Sequence, residues 1–239
     1  TTTVVNLATA MAACDKKTLI IDADPQGNAS TGFGIKYNER DEDLYSIICG
    51  KIDTNTAIKS TMIPKLDIIP TSPDLSALEQ ELVHVEDREY KIRNILDQIK
   101  DDYDYIFLDC PPSLGLVTLN ALCAAKSLII PLQTEFYALE GLSQLINTLE
   151  SIKGNFNKDI ILQGILLTMY DKRNKICEMV SNDVKSHFSN KVFKTVIPRN
   201  VRVSEAPSFG QPVLMYDISC PGSQAYASLA GEIINQEKD

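Results

Sequence analysis

Two short stretches hold residues whose types and spacing could do chemistry. The first is Asp22-Ala23-Asp24-Pro25-Gln26-Gly27-Asn28, directly after Leu19-Ile20-Ile21. Aspartate is depleted in strands, so two at alternate positions after an apolar run need a reason. The second is Asp109-Cys110-Pro111-Pro112-Ser113, directly after Tyr105-Ile106-Phe107-Leu108. In open α/β sheets, chemistry sits beyond the carboxyl ends of the strands. Acids, an amide and a glycine at such ends suit a metal, a water or a phosphate. The alternative is a capped strand end followed by a turn. A third stretch, Thr1-Thr2-Thr3, starts an amphipathic pattern in which Val4, Leu7, Ala8 and Met11 share one face. A helix N-terminus offers free amides and a positive dipole end to phosphate. A hydroxyl in its first turn can ligate Mg²⁺, and a carboxylate at a nearby strand end can hold that ion. On spacing alone, the threonines serve equally well as a helix cap.

The elements that must position these residues follow from periodicity. A helix is predicted over 2–13 and a strand over 18–22, with a loop over 29–42. Leu44, Ile47 and Ile48 mark a short helix closed by Gly50, and 66–70 reads as a strand. Leu75, Leu78 and Leu82 carry a helix capped by Ser72 or Asp74, and Ile92, Ile95, Leu96 and Ile99 carry another. A strand over 105–108 ends in Asp109, then a helix over 116–125 leads to a strand over 127–132. The clearest amphipathic helix runs from Leu142 to Ile152, ended by Gly154, and precedes a strand over 160–168. Ile176, Val180, Val184 and Phe188 carry a helix, and 192–197 a strand. A loop over 198–221 leads to a last helix with Tyr226, Leu229, Ala230 and Ile233. Strands and helices alternate, and the strands are uniformly apolar. This predicts an α/β fold with a mostly parallel, doubly wound sheet and helices on both faces, in one domain.

Composition narrows the function classes. The chain has 239 residues, 44% of them apolar, enough for a sizeable core. No apolar run reaches the roughly 18 residues of a membrane span. The six cysteines are scattered, with no C-x-x-C pair. They read as reduced, buried thiols of a cytosolic protein, not as a metal or iron–sulfur set. His84 and His187 have polar neighbours and read as surface residues. Net charge is −9, yet Lys172 to Arg202 holds eight basic residues against two acids. A basic segment on an acidic chain can aim a polyanion at one face. The alternative is a solvated helix face.

Taken together, the motifs resemble a known family. Thr1-Thr2-Thr3-Val4-Val5-Asn6-Leu7-Ala8 resembles the continuation of a deviant Walker A motif, whose K-G-G-V-G-K part would precede residue 1. The chain accordingly reads as a single nucleotide-binding domain over 1–239, cut at a helix N-terminus and lacking the preceding strand. Residues 22–28 resemble the switch I signature of the ParA (Soj-like) chromosome-partitioning ATPases of the MinD/ParA superfamily. Residues 105–115 resemble their Walker B and switch II. Thr168-Met169-Tyr170-Asp171 and residues 197–208 are similar to further family stretches.

The resemblance implies a cytoplasmic, nucleoid-associated P-loop ATPase that uses ATP and Mg²⁺. It implies a homodimer with ATP at its interface, binding DNA without sequence preference, and a ParB-type partner that stimulates hydrolysis. Carried over by residue, Asp24 orients the attacking water, and Thr1 ligates Mg²⁺ with Asp109 in its shell. Thr2 touches the α-phosphate side, and Pro198 and Asn200 line the adenine. Arg173 and Arg202 contact DNA, and both lie in the basic segment. Asp22 reads as a supporting carboxylate and Cys110 as a small filler. A MinD-like membrane-cycling relative would want a basic amphipathic C-terminal helix, whereas the last nine residues carry Glu232, Glu237 and Asp239. A non-hydrolysing DNA-binding or scaffold relative is a further reading, and the cysteines are misplaced for an iron–sulfur reductase subunit.

Overall fold

The computed structural model describes residues 1–237; Lys238 and Asp239 of the polar tail lie outside the described residues. In chain order the elements are α1 (Thr2–Ala13), β1 (Thr18–Asp22), α2 (Asn28–Gly32), α3 (Leu44–Ile48), α4 (Thr54–Ala57), β2 (Lys59–Ser60), β3 (Leu66–Ile69), α5 (Leu78–Glu81) and α6 (Lys91–Ile99). There follow β4 (Tyr105–Asp109), α7 (Leu116–Ala124), β5 (Ser127–Gln133), α8 (Ala138–Asn155), β6 (Ile161–Thr168), α9 (Lys175–Phe188), α10 (Val201–Glu205), α11 (Val213–Tyr216) and α12 (Pro221–Gln236).

β1 is buried along its whole length. It pairs in parallel with β3 on one side and β4 on the other, while the short β2 runs antiparallel on β3. Side chains of β1 alternate between two apolar clusters. Leu19 and Ile21 pack with Ile92 and Ile95 of α6, whereas Ile20 packs with Val5 and Ala8 of α1. A strand buried on both faces needs helices on both faces, which is why its run is continuously apolar. β5 and β6 form a second parallel pair. The two groups share a cluster in which Tyr105 and Phe107 of β4 and Ile129 of β5 pack with Leu7 of α1 and Leu229 of α12. Among the described residues no strand pairs with the outer edge of β4 or of β5.

The α/β architecture agrees with the periodicity, but four local expectations need correction. The loop expected over 29–42 contains α2, entered through Gly27 in the left-handed region at φ 64°. The strand expected over 192–197 is reduced to isolated parallel bridges, Ile165 to Val192 and Tyr170 to Pro198. Its middle amides, Lys194 N and Thr195 N, donate instead to the Glu232 carboxylate of α12. The loop expected over 198–221 contains α10 and α11; Asn200 caps α10 by accepting from Val203 N. Gly154 does not end α8, which continues to Asn155.

Candidate functional site

The parallel register of β1 and β4 sets Asp22 directly beside Asp109. Both carboxylates are buried at the carboxyl ends of adjacent strands. Thr1, at the N-cap of α1, lies on the other side of the site, its terminal ammonium 3.0 Å from Asp109 Oδ1. Asp109 Oδ2 is buried and has no hydrogen-bond partner. A buried carboxylate oxygen left open is costly unless a ligand completes its shell. That orphaned oxygen, next to Thr1 at a helix N-terminus, fits a divalent cation held jointly with phosphate oxygens and water. No group of three His, Cys, Asp or Glu among the described residues could cage a metal by itself. Mg²⁺ typically keeps waters and substrate phosphates instead of an all-protein cage.

Asp22 and Asp24 are separated by their partners. Asp22 accepts from Ser30 N at 2.8 Å and Ser30 Oγ at 2.7 Å. Burial nevertheless pushes its pKa up to about 6; the Ser30 hydrogen bonds pull it down and the nearby Asp109 adds to the rise. It is a structural carboxylate that ties β1 to α2. Asp24 is 8% exposed and uses Oδ1 to accept from Gln26 N at 3.0 Å. Its backbone carbonyl accepts from Gly27 N, which closes the turn into α2. Cys110 sits beside these acids, and burial pushes its thiol up to about 12, so it is a filler and not a nucleophile.

α1 is tied to the C-terminal part of the chain. Asn6 Oδ1 accepts from Val213 N at 2.8 Å, and Asn6 Nδ2 donates to Thr2 O. Thr2 is exposed. The loop after α2 touches the same region: a Cβ on Gly210 would lie 2.8 Å from Gly34 Cα. A side chain at position 210 would block that approach, whereas a Cβ on Gly34 would meet Gly210 O only at 3.4 Å.

The other expected site residues lie apart from the acids. Pro198 lines a cavity of about 940 Å³ with Tyr170, Lys172, Arg173, Lys185 and Arg199, and neither Asp24 nor Asp109 reaches it. Asn200 stands at the N-cap of α10, its Oδ1 engaged by Val203. Arg173 is exposed and pairs with Asp171 at 2.8 Å, and its guanidinium holds that carboxyl down to about 2. Arg202 pairs with Glu205 at 3.0 Å and Asp217 at 3.5 Å. Three carboxylates outside the 172–202 segment therefore temper its positive charge. Periodicity did not single out Ser30 or Arg40, both buried polar residues around the Asp24 loop. The loop assignment over 29–42 hid them, and the charged run Glu39-Arg40-Asp41-Glu42-Asp43 reads as solvated.

A family model described as an AAA domain matches residues 1–162. The chain is 52% identical to "Chromosome partitioning protein ParA" of Caulobacter vibrioides, covering 100% of this chain and 90% of that protein. It is 47% identical to "Sporulation initiation inhibitor protein Soj" of Bacillus subtilis, covering 98% and 92% respectively. Among solved structures it is similar to cobyrinic acid a,c-diamide synthase from Mycobacterium smegmatis with bound ATP analog and magnesium. That likeness has a TM-score of 0.89 at 28% identity and covers 100% of this chain and 90% of the other.

Proposed function

The chain belongs to the ParA/Soj family of chromosome-partitioning ATPases, and from that premise we propose that it hydrolyses ATP to drive a dimerising, DNA-binding switch. The single observation that carries this reading is the pairing of Asp22 with Asp109 at adjacent strand ends, faced by the first turn of α1. Asp24, two residues beyond Asp22 and 8% exposed, holds and orients the attacking water. Thr1 and Asp109 would hold Mg²⁺, which neutralises charge on the phosphate oxygens when bound. Free amides of the first turn and the Thr2 hydroxyl face the phosphate chain. Pro198 and Asn200 line the base. ATP is shared across a homodimer, and the exposed Arg173 and Arg202 exchange their carboxylate partners for DNA phosphates. A ParB-type partner stimulates turnover and ends the DNA-bound state. Phosphate contacts carry no sequence information, which accounts for binding without sequence preference.

The test is DNA-stimulated ATP turnover by the full-length gene product. Asp24→Ala should lower kcat by about 100-fold or more while nucleotide still binds. Arg173→Ala with Arg202→Ala should weaken DNA binding and make its salt dependence shallower by a slope of about 2 per protomer. Unchanged turnover in the first variant, or unchanged DNA binding in the second, would overturn the corresponding assignment.

A further inference from the structure

Arg40 is the only buried cationic side chain among the described residues, at 6% exposure. It lies under the loop that leads out of β1. Its Nη2 donates to Ile35 O at 2.7 Å and to Thr31 Oγ1 at 2.9 Å, and Nε donates to Ile35 O at 3.2 Å. Thr31 Oγ1 in turn donates to Gly27 O at 3.0 Å. The third guanidinium nitrogen, Nη1, stands 2.1 Å from where a Cβ on Gly27 would be. Gly27 is thus required twice, by its φ of +64° and by the arginine that fills its missing side chain. No carboxylate lies within ion-pair distance of Arg40 among the described residues. Asp22 is near enough for its charge to favour the guanidinium against the cost of burial.

A buried charge without a direct ion partner is an expensive way to fill space. An apolar residue of the same volume would pack the gap without that cost. What the guanidinium adds is planar geometry: three donors that reach both ends of one turn of chain. One end is Ile35, beyond α2; the other is Thr31, whose hydroxyl holds the carbonyl of Gly27. Gly27 N closes the turn back onto Asp24 O. We propose that Arg40 is a positioning residue for Asp24: it fixes the Pro25–Gly27 turn, and with it the direction of the Asp24 carboxylate, without touching substrate. This rests on the reading of Asp24 as the group that orients water.

The experiment uses the full-length protein with DNA and compares Arg40→Lys, Arg40→Met, Gly27→Ala and Asp24→Ala. It measures kcat, KM, the affinity for a fluorescent non-hydrolysable ATP analogue, and the thermal midpoint. A loosely held catalytic group loses rate before binding, so both Arg40 variants should lower kcat by about tenfold or more. KM and analogue affinity should stay within about twofold of wild type. Gly27→Ala should reproduce this profile, because its Cβ displaces Nη1. If Arg40→Met folds and turns over at the wild-type rate, the proposal is wrong. It is equally wrong if kcat and affinity fall together in step with the thermal midpoint, which is the mark of a plug. Should the Arg40 variants fail to fold, Thr31→Val decides by the same split between kcat and affinity, because it removes the hydroxyl that links Arg40 Nη2 to Gly27 O. Asp24→Ala separates the two layers. Wild-type turnover there sinks the reading of Asp24, whereas an inactive Asp24→Ala beside a normal Arg40→Met sinks only the positioning role.

Discussion

Removing one hydroxyl, Ser30→Ala, tests how the acidic strand ends are held. Ser30 is fully buried, and its Oγ donates to Asp22 Oδ2 at 2.7 Å, the shortest of that carboxylate's contacts. The substitution leaves only backbone donors, Ser30 N at 2.8 Å and Asp24 N at 3.4 Å. A hydrogen bond to a charged group contributes about 1.5–3 kcal/mol, so the variant should lose on the order of 2 kcal/mol at pH 7. For a chain of this size that lowers Tm by about 4–8 °C. The pH dependence gives the sharper test. Burial already holds Asp22 at about 6, above its unfolded value of 3.8, and the Ser30 hydroxyl opposes that rise. A carboxyl raised in the fold stabilises it below the unfolded pKa and loses that contribution as pH rises through the folded pKa. Without the hydroxyl the folded pKa climbs further, so the variant loses more than wild type between pH 5 and pH 7. Urea melts of the full-length protein at both pH values, with equal m-values, measure this directly. A penalty that is the same at pH 5 and pH 7 would refute the assignment of the hydroxyl to the ionised carboxylate.

Two further outcomes follow from the packing. Gly210→Ala should destabilise more than Gly50→Ala. Both sit at positive φ, where a Cβ costs about 1–2 kcal/mol, but only the Gly210 Cβ meets backbone, 2.8 Å from Gly34 Cα, while Gly50 faces open space. Equal shifts in denaturation midpoint would show that the two loops do not meet. With iodoacetamide at pH 8, the exposed Cys14 should alkylate well before Cys110, whose thiol burial pushes to about 12. Mass spectrometry of the labelled peptides would expose the reverse order.

The sequence by itself determined the elements whose signal is local. Leu19-Ile20-Ile21 read as a strand buried on both faces, with Asp22 and Asp109 at strand ends, and both strands are there. The family motifs named Asp24, Thr1 and Asp109 as one site, because each motif is a short run with fixed internal spacing. Tertiary structure decided what depends on partners distant in sequence. The register of β1 on β4 puts Asp22 beside Asp109, across 87 residues of chain, and leaves Asp109 Oδ2 open. The 192–197 stretch had strand composition, yet Glu232 of α12 captured its middle amides, while only Phe193 N and Ile197 N donate to β6. Residues 172–202 summed to a positive segment, but Asp171, Glu205 and Asp217 pair with its arginines in space. Arg40 is the plainest case. Its neighbours in sequence are charged and polar, which predicts solvent. Its neighbours in space are a glycine without a side chain and two oxygens in need of donors, and burial follows from that geometry, which no window of sequence contains.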